Sequence, residues 1–373
     1  MPVPWAALAG AAGVSVATVA ACTAVGVYAR RAGVLTASAL KDLDKLVSSI
    51  YLPCLIFKKV LPNTNAGVLL DVWPLGVVCC ASVLYGLLAG ALVGRGTPRF
   101  RGMVMVAIAF PNSFSVPLTL MLALGDLPVL LTQGQPGGDA LAARVNFLFL
   151  MSYSLWTLAR WSIGFPLLSG AISFREWRRK VLNPPVVACL LAAGLGLAWD
   201  QVPVGARPRW EERLRPLLQP LSAALQYAGQ CSVPSILLTL GAKVDEAVAS
   251  LWGRSKRTVS GSRAKLLAAA ELPVEETLPA SSYVAVLVMR QVLGPALGAL
   301  LSLGVLRGLC GVTDPVVLLV GMLQTAGPPM INLAIMSGLS GTAEKETARL
   351  LLLTYGCSAA TWTLSIAFFL ALL

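Results

Sequence analysis

Apolar runs of roughly twenty residues recur from one end of the chain to the other, separated by short stretches rich in arginine, lysine, glycine and proline. This spacing predicts helices that cross a bilayer; an outer-membrane barrel shows short alternating segments instead. Ten spans are expected, at 5–29, 42–61, 68–94, 102–124, 144–167, 181–199, 217–243, 283–306, 315–339 and 350–372. Met1–Tyr28 lacks the basic start of a cleavable signal and is long for its apolar region, so it reads as the first span.

Two spans are interrupted at their centres. The run Met103–Leu124 contains Phe110-Pro111-Asn112-Ser113-Phe114-Ser115-Val116-Pro117. Each proline removes a backbone donor and clashes with the preceding turn, and lipid supplies no replacement partner. A break at mid-membrane is the expectation; a proline kink satisfied by a neighbouring helix is the plainer alternative. The run Val316–Leu339 is interrupted in the same way by Thr325-Ala326-Gly327-Pro328-Pro329-Met330-Ile331-Asn332. Paired interruptions in two halves of a chain point to a transporter binding site.

Other correspondences keep the same order. Span 2 carries Pro53 and span 7 carries Pro234. Span 5 has Ser152-Tyr153-Ser154 then Trp156-Thr157-Leu158, and span 10 has Thr354-Tyr355-Gly356 then Trp362-Thr363-Leu364. The second half is longer by about the polar stretch 246–282. An odd number of spans per copy turns the second copy over, so the expected fold is an all-α polytopic 5+5 inverted repeat with broken helices 4 and 9 crossing. The expected domains are 1–167, a cytosolic link 168–180, and 181–373 with an insertion at 246–282. That insertion is basic and serine-rich around Arg254–Arg263, which suits a solvated cytosolic loop; phosphorylation or anionic-lipid contact is the sharper alternative.

Composition agrees with this pattern. The 373 residues are 57% hydrophobic and 12% charged, with a mean hydropathy of +0.76. A net charge of +12 can signal nucleic acid, but here the basic residues fall between apolar runs and orient the protein instead. They are richest after spans 1, 3, 5, 7 and 9, which puts those links in the cytosol and both termini on the far side. The group Arg207, Arg209, Arg213 and Arg215 is an exception, partly offset by Glu211 and Glu212. The chain has no histidine, and its eight cysteines lie scattered in apolar segments, as buried free thiols rather than a disulfide framework or metal cluster. No serine, zinc or aspartate hydrolase motif is present, so neither an enzyme nor a cofactor is expected.

Leu182-Asn183-Pro184-Pro185 followed by Gly194-Leu195-Gly196-Leu197, then Thr239-Leu240-Gly241-Ala242, Ala326-Gly327-Pro328-Pro329-Met330-Ile331-Asn332, Ser337-Gly338-Leu339 and Leu353-Thr354-Tyr355, with Arg290 and Asp314-Pro315, resemble the auxin efflux carrier family, above all its PIN-LIKES branch. The likeness covers nearly the whole chain. Span 4 departs from it: where the family has a second glycine-asparagine pair, this chain has Phe114-Ser115. The resemblance implies crossed, unwound helices 4 and 9, a scaffold domain beside a transport domain, a homodimer, and carriage of auxin-like organic anions. It further implies the endoplasmic reticulum membrane, with the plasma membrane as alternative.

Broken helices expose amide donors at the start of each second half, where the partial positive charge attracts an anion without a buried lysine. The candidate substrate-binding residues are Pro111, Asn112, Ser113, Ser115, Pro117, Pro328, Pro329 and Asn332, with Tyr51, Leu55 or Phe114 under an apolar substrate body. The asparagines alternatively only satisfy backbone freed by the prolines. Neither broken centre contains an acid, which argues against cation coupling and for transport along the anion gradient and the membrane potential, about 2.3 kcal/mol per charge per 100 mV. Asp71 and Arg290 are the candidate charge or proton relay, against interfacial solvation for Asp71 and, for Arg290, snorkelling or pairing with Asp245. Trp156, Trp161 and Trp362 suit interfacial belts as well as any functional use, and the glycines at 86, 90 and 94 and at 294 and 298 suit close helix packing. A membrane sensor or scaffold acting through 246–282 is the competing function.

Overall fold

The computed structural model describes residues 5–64, 66–113, 117, 139–170, 175, 181–203, 205–259 and 277–373. The first half runs α1 Trp5–Arg31, α2 Ala37–Leu46, α3 Leu52–Val60, α4 Ala66–Val93, α5 Arg101–Ala109, α6 Asp139–Ala159 and α7 Phe165–Leu168. The second runs α8 Pro184–Asp200, α9 Arg207–Gln230, α10 Ser232–Val259, α11 Ala280–Gln291, α12 Leu293–Leu300, α13 Pro315–Ala326, α14 Leu333–Ser340 and α15 Glu344–Leu372. Among the described residues three stretches, Val72–Gly96, Ala280–Leu309 and Glu344–Leu372, are long and apolar enough to cross a membrane, and Pro184–Asp200 and Pro315–Ala326 are shorter apolar helices.

Local chemistry accounts for the helix ends and bends. Asn183 caps α8 by accepting the Val186 N–H at 3.1 Å, with prolines in the first turn where no donor is needed. Asp314 caps α13 in the same manner at 2.9 Å, ahead of Pro315, and pairs with Arg144 of α6. Ahead of Pro53 and Pro166 the helix widens into π turns at Val47–Tyr51 and Arg160–Gly164. Each proline has removed the bond that would hold the regular turn, and one extra residue relieves its clash.

Two expectations need correction. The span expected at 217–243 straddles α9 and α10, which meet at Cys231 just before Pro234, and α10 continues to Val259. The first part of the expected 246–282 loop is therefore helix, and 260–276 lie outside the described residues. Alanine, lysine, arginine and glutamate are good helix formers, so the end of apolar character marks the membrane boundary and not the helix end. Nor do Trp156, Trp161 and Trp362 form interfacial belts: all three are fully buried. Trp362 lies against Gly327 of the crossing, the Trp156 indole donates to Gln324 Oε1 of α13, and Trp161 packs on Phe165.

Glycine stripes set the packing. A side chain at Gly86 or Gly90 of α4 would strike the backbone of Ala109 or Met105 in α5. Gly294 and Gly298 of α12 likewise face Thr325 and Met322 of α13. Gly26 of α1 and Gly241 of α10 face each other's helices so closely that backbone touches backbone. Helix α8 packs on α3, and α9 packs on α3 through Gly229 against Leu55. Around α13, almost all buried, and the mostly buried α5, the core collects side chains from both halves.

Overpacking of a tight helix contact costs about 1–3 kcal/mol. Gly241→Val is expected to lower the thermal midpoint of the detergent-purified protein by several degrees, whereas Gly356→Val, where nothing lies within 4 Å of an added carbon, leaves it unchanged.

Candidate functional site

Two helices stop in the middle of the fold and their backbones pair. Helix α5 ends at Ala109 and Phe110 turns extended; α13 ends at Ala326 and Gly327 turns extended. Pro111 then lies opposite Pro329 in an isolated antiparallel bridge. Its two hydrogen bonds run from the Asn112 N–H to the Pro328 carbonyl at 2.7 Å and from the Met330 N–H to the Phe110 carbonyl at 2.9 Å. In such a pair the opposed residues themselves donate nothing across the ladder, so proline fits at both. The breaks satisfy one another, and past them α14 starts at Leu333 with Asn332 at its N-cap.

The other exposed groups are the carbonyls at the C-terminal ends of α5 and α13, where partial negative charge collects. Arg290 covers them. It is 3% exposed, and its guanidinium donates to Ile108 O at 3.1 Å, to Thr325 O at 2.8 Å and twice to Gly327 O, at 3.1 and 2.7 Å. The snorkelling expectation for Arg290 is thus overturned, and Asp245 pairs with Arg31 at 2.7 Å instead. One planar fork reaching both half-helices holds the crossing together better than an ammonium could.

Beside the bridge a cavity of about 140 Å³ opens between α3, α10, α6 and the crossing. Its polar lining is Asn112, Asn332, Tyr153, Lys59 and Arg160, and its apolar lining comes from Leu52, Leu55, Val233, Ile236, Met330 and Ile331. The Asn112 amide donates to the Tyr355 hydroxyl at 2.8 Å, and Ser113 Oγ accepts from Arg160 at 2.8 Å. The Asn332 side chain makes no capping bond and faces the cavity. Lys59 Nζ and the Arg160 guanidinium lie 5.3 and 5.8 Å from the centre of the Tyr153 ring.

Of the expected site residues, Leu55, Asn112 and Asn332 line this cavity. Ser113 stands behind it on Arg160; Pro111, Pro328 and Pro329 form the bridge region. Tyr51 packs against the core and is not among the lining residues, and Pro117 is buried. Ser115 and Phe114 lie outside the described residues, as does the side chain of Asp71, whose backbone belongs to α4. Two cations at the cavity, Lys59 and Arg160, were missed by a reading that expected helix ends alone to attract the anion. A signal was present: Arg160 stands inside an apolar run, and an ionisable residue within a span points to function.

A second buried charge group was missed for the same reason. Lys243 of α10 pairs with Asp44 of α2 at 2.8 Å, both almost fully buried, donates to Ala334 O of α14 at 2.8 Å, and lies 3.4 Å from Glu344 of α15. Gly338 of α14 leaves the room for it, since an added carbon there would strike both charged groups.

Two interrupted helices crossing inside a bundle of apolar helices, beside a cavity lined by cations and amides, define a membrane transport protein. The chain belongs to the membrane transport protein family, which it matches over residues 12–168 and 168–366, and within it to the PIN-LIKES branch of the auxin efflux carriers. It is similar to PIN-LIKES 3 of Arabidopsis thaliana, with 23% identity over 93% of this chain and 94% of that protein. PIN-LIKES 7 of the same plant is 21% identical over 91% of each chain. An uncharacterized transporter of Schizosaccharomyces pombe is 31% identical over a shorter stretch, 41% of this chain and 38% of that protein. The family is one of transporters, not enzymes.

Arg290→Gln leaves several carbonyls of the crossing without their donor, at about 1–3 kcal/mol for each buried group left unsatisfied. A marked fall in thermal midpoint is expected, with only partial recovery in Arg290→Lys, as read by differential scanning fluorimetry.

Proposed function

We propose that the protein is a secondary transporter that carries a small organic anion, an auxin-like carboxylate such as indole-3-acetate, by alternating access. The observation that carries this reading is the cavity beside the paired breaks, where Asn112, Asn332, Lys59 and Arg160 face an apolar wall. An amphiphilic anion matches both parts: charge to the cations and amides, apolar body to Leu52, Leu55, Val233 and Ile236. Moving such an anion couples it to the membrane potential at about 2.3 kcal/mol per charge per 100 mV.

The architecture proposed is ten spans in a 5+5 inverted repeat, divided at 1–167, 168–180 and 181–373. Recurrent packing supports it: α1 lies on α10 as α8 lies on α3, α4 on α5 as α12 on α13, and α1 meets α15 as α8 meets α6. The glycine stripes in α4 and α12 serve corresponding contacts. In this reading α1, α2, α3, α8, α9 and α10 form the scaffold, and the crossing rocks against them with the cavity between. The proposed setting is the endoplasmic reticulum membrane with both termini lumenal, as the resemblance and the distribution of basic residues support. Leu217, Leu218, Leu221 and Tyr227 are exposed on α9, a face that suits lipid or the second copy of a homodimer.

Reconstituted in liposomes, the protein is expected to take up labelled indole-3-acetate. Asn332→Ala is expected to reduce uptake about tenfold, the loss of about 1.4 kcal/mol, and removal of 260–276 to leave it intact. Uptake no greater than in empty vesicles for any carboxylate tested defeats the transport reading; loss of activity on loop removal alone, with Asn332→Ala unaffected, favours a sensor.

A further inference from the structure

The fold buries two arginines beside the crossing, and they are used differently. Arg290 spends donors at Nε and at both terminal nitrogens on backbone carbonyls, so its charge answers the C-terminal ends of two half-helices. Arg160 is buried to the same degree, at 4% exposed, but is incompletely matched. One terminal nitrogen donates to Ser113 Oγ at 2.8 Å, the guanidinium approaches the Tyr153 ring, and Nε, buried, has no hydrogen-bond partner. No carboxylate among the described residues lies within ion-pair distance of it. It lines the cavity that Asn112 and Asn332 also line.

An uncompensated cation in so dry a place is destabilising, and the penalty is relieved only by a counter-anion of good geometry. Among the described residues none brings that anion, while an open cavity adjoins the cation. The N-terminal end of α14 faces the same space through Asn332 and adds its own partial positive charge. An anion in the cavity relieves both at once. Ser113 and Tyr153 fix the plane of the guanidinium, and a planar carboxylate is the group its remaining fork matches.

We propose that Arg160 is the specificity-determining residue of the site: it pairs with the carboxylate of the transported molecule and thereby rejects neutral analogues of the same shape. This rests on the transport reading above. A neutral amide leaves the guanidinium buried and unmatched, and discrimination of this kind follows from the group left unpaired. Transport is then selective for the ionised form of a weak acid, and the apolar wall has a lesser part in selection.

The test uses full-length protein in detergent with two probes, indole-3-acetate and its neutral amide, indole-3-acetamide, and follows binding by ligand-induced thermal shift and by titration. Wild type is expected to bind the carboxylate and not the amide. Arg160→Gln is expected to lose carboxylate affinity by about thirtyfold or more, the range for removing one partner of a buried charged pair, and to bind the two probes alike. Its ligand-free thermal midpoint is expected to equal or exceed that of wild type, because an unmatched buried charge has gone. Arg160→Lys keeps the charge and is expected to keep the preference for the carboxylate at reduced affinity. Unchanged carboxylate affinity in Arg160→Gln overturns the proposal while leaving the transport reading intact. A lower ligand-free midpoint in Arg160→Gln with no preference for the carboxylate in Arg160→Lys makes Arg160 a structural residue and also overturns it. Wild type binding neither probe defeats the auxin-like substrate reading and this proposal with it.

Discussion

The structure depends on one short stretch of β-like pairing inside an otherwise helical core. Backbone groups within a bilayer find no water, so a helix can be interrupted there only if something else takes its bonds. Here the partner of each interruption is the other one. Two hydrogen bonds join the segments, and Pro111 and Pro329 occupy the opposed positions where a missing N–H does no harm. The prolines that break the helices are thus the residues the bridge tolerates best, and neither break is satisfied without the other.

Around the bridge, the cations fall into two groups. The half-helices end with carbonyls toward Arg290, each of whose three guanidinium nitrogens donates to backbone. The N-cap Asn332, Arg160 and Lys59 instead line a cavity. A saturated cation and an incompletely matched one have opposite physical roles: the first fixes geometry, the second favours an incoming anion. The placement of Trp156 and Trp362 in the core fits this arrangement, since large rigid side chains pack beside the crossing, where helices no longer fill space.

The Asp44–Lys243 pair joins the same layers of the fold elsewhere. It ties α2 and α10 to the second half of the broken helix through Ala334 O, with Glu344 within reach. A pair so deeply buried adds little net stability relative to an apolar core, while losing either partner is strongly destabilising. In the conformation of this structure it holds α14 against α2 and α10.

The order of the residues alone determined the class of protein, several of its apolar helices and the two breaks, because lipid favours long apolar helices and proline removes a backbone donor; at Pro74, Pro216 and Pro220 the helix nevertheless continues, so proline by itself does not mark a break. It also determined local caps such as Asn183 and Asp314, whose bonding partners lie within three residues. Tertiary structure decided what depends on distant neighbours. That Pro111 faces Pro329, that Arg290 reaches three carbonyls on two helices, and that α10 runs to Val259 are not visible in hydropathy. Arg160 and Lys243 stood in plain view as charges in or beside apolar runs, yet their meaning differs: one meets a cavity and the other a carboxylate. Which partner a buried charge finds is set by helices far apart in the chain, and only packing brings those together.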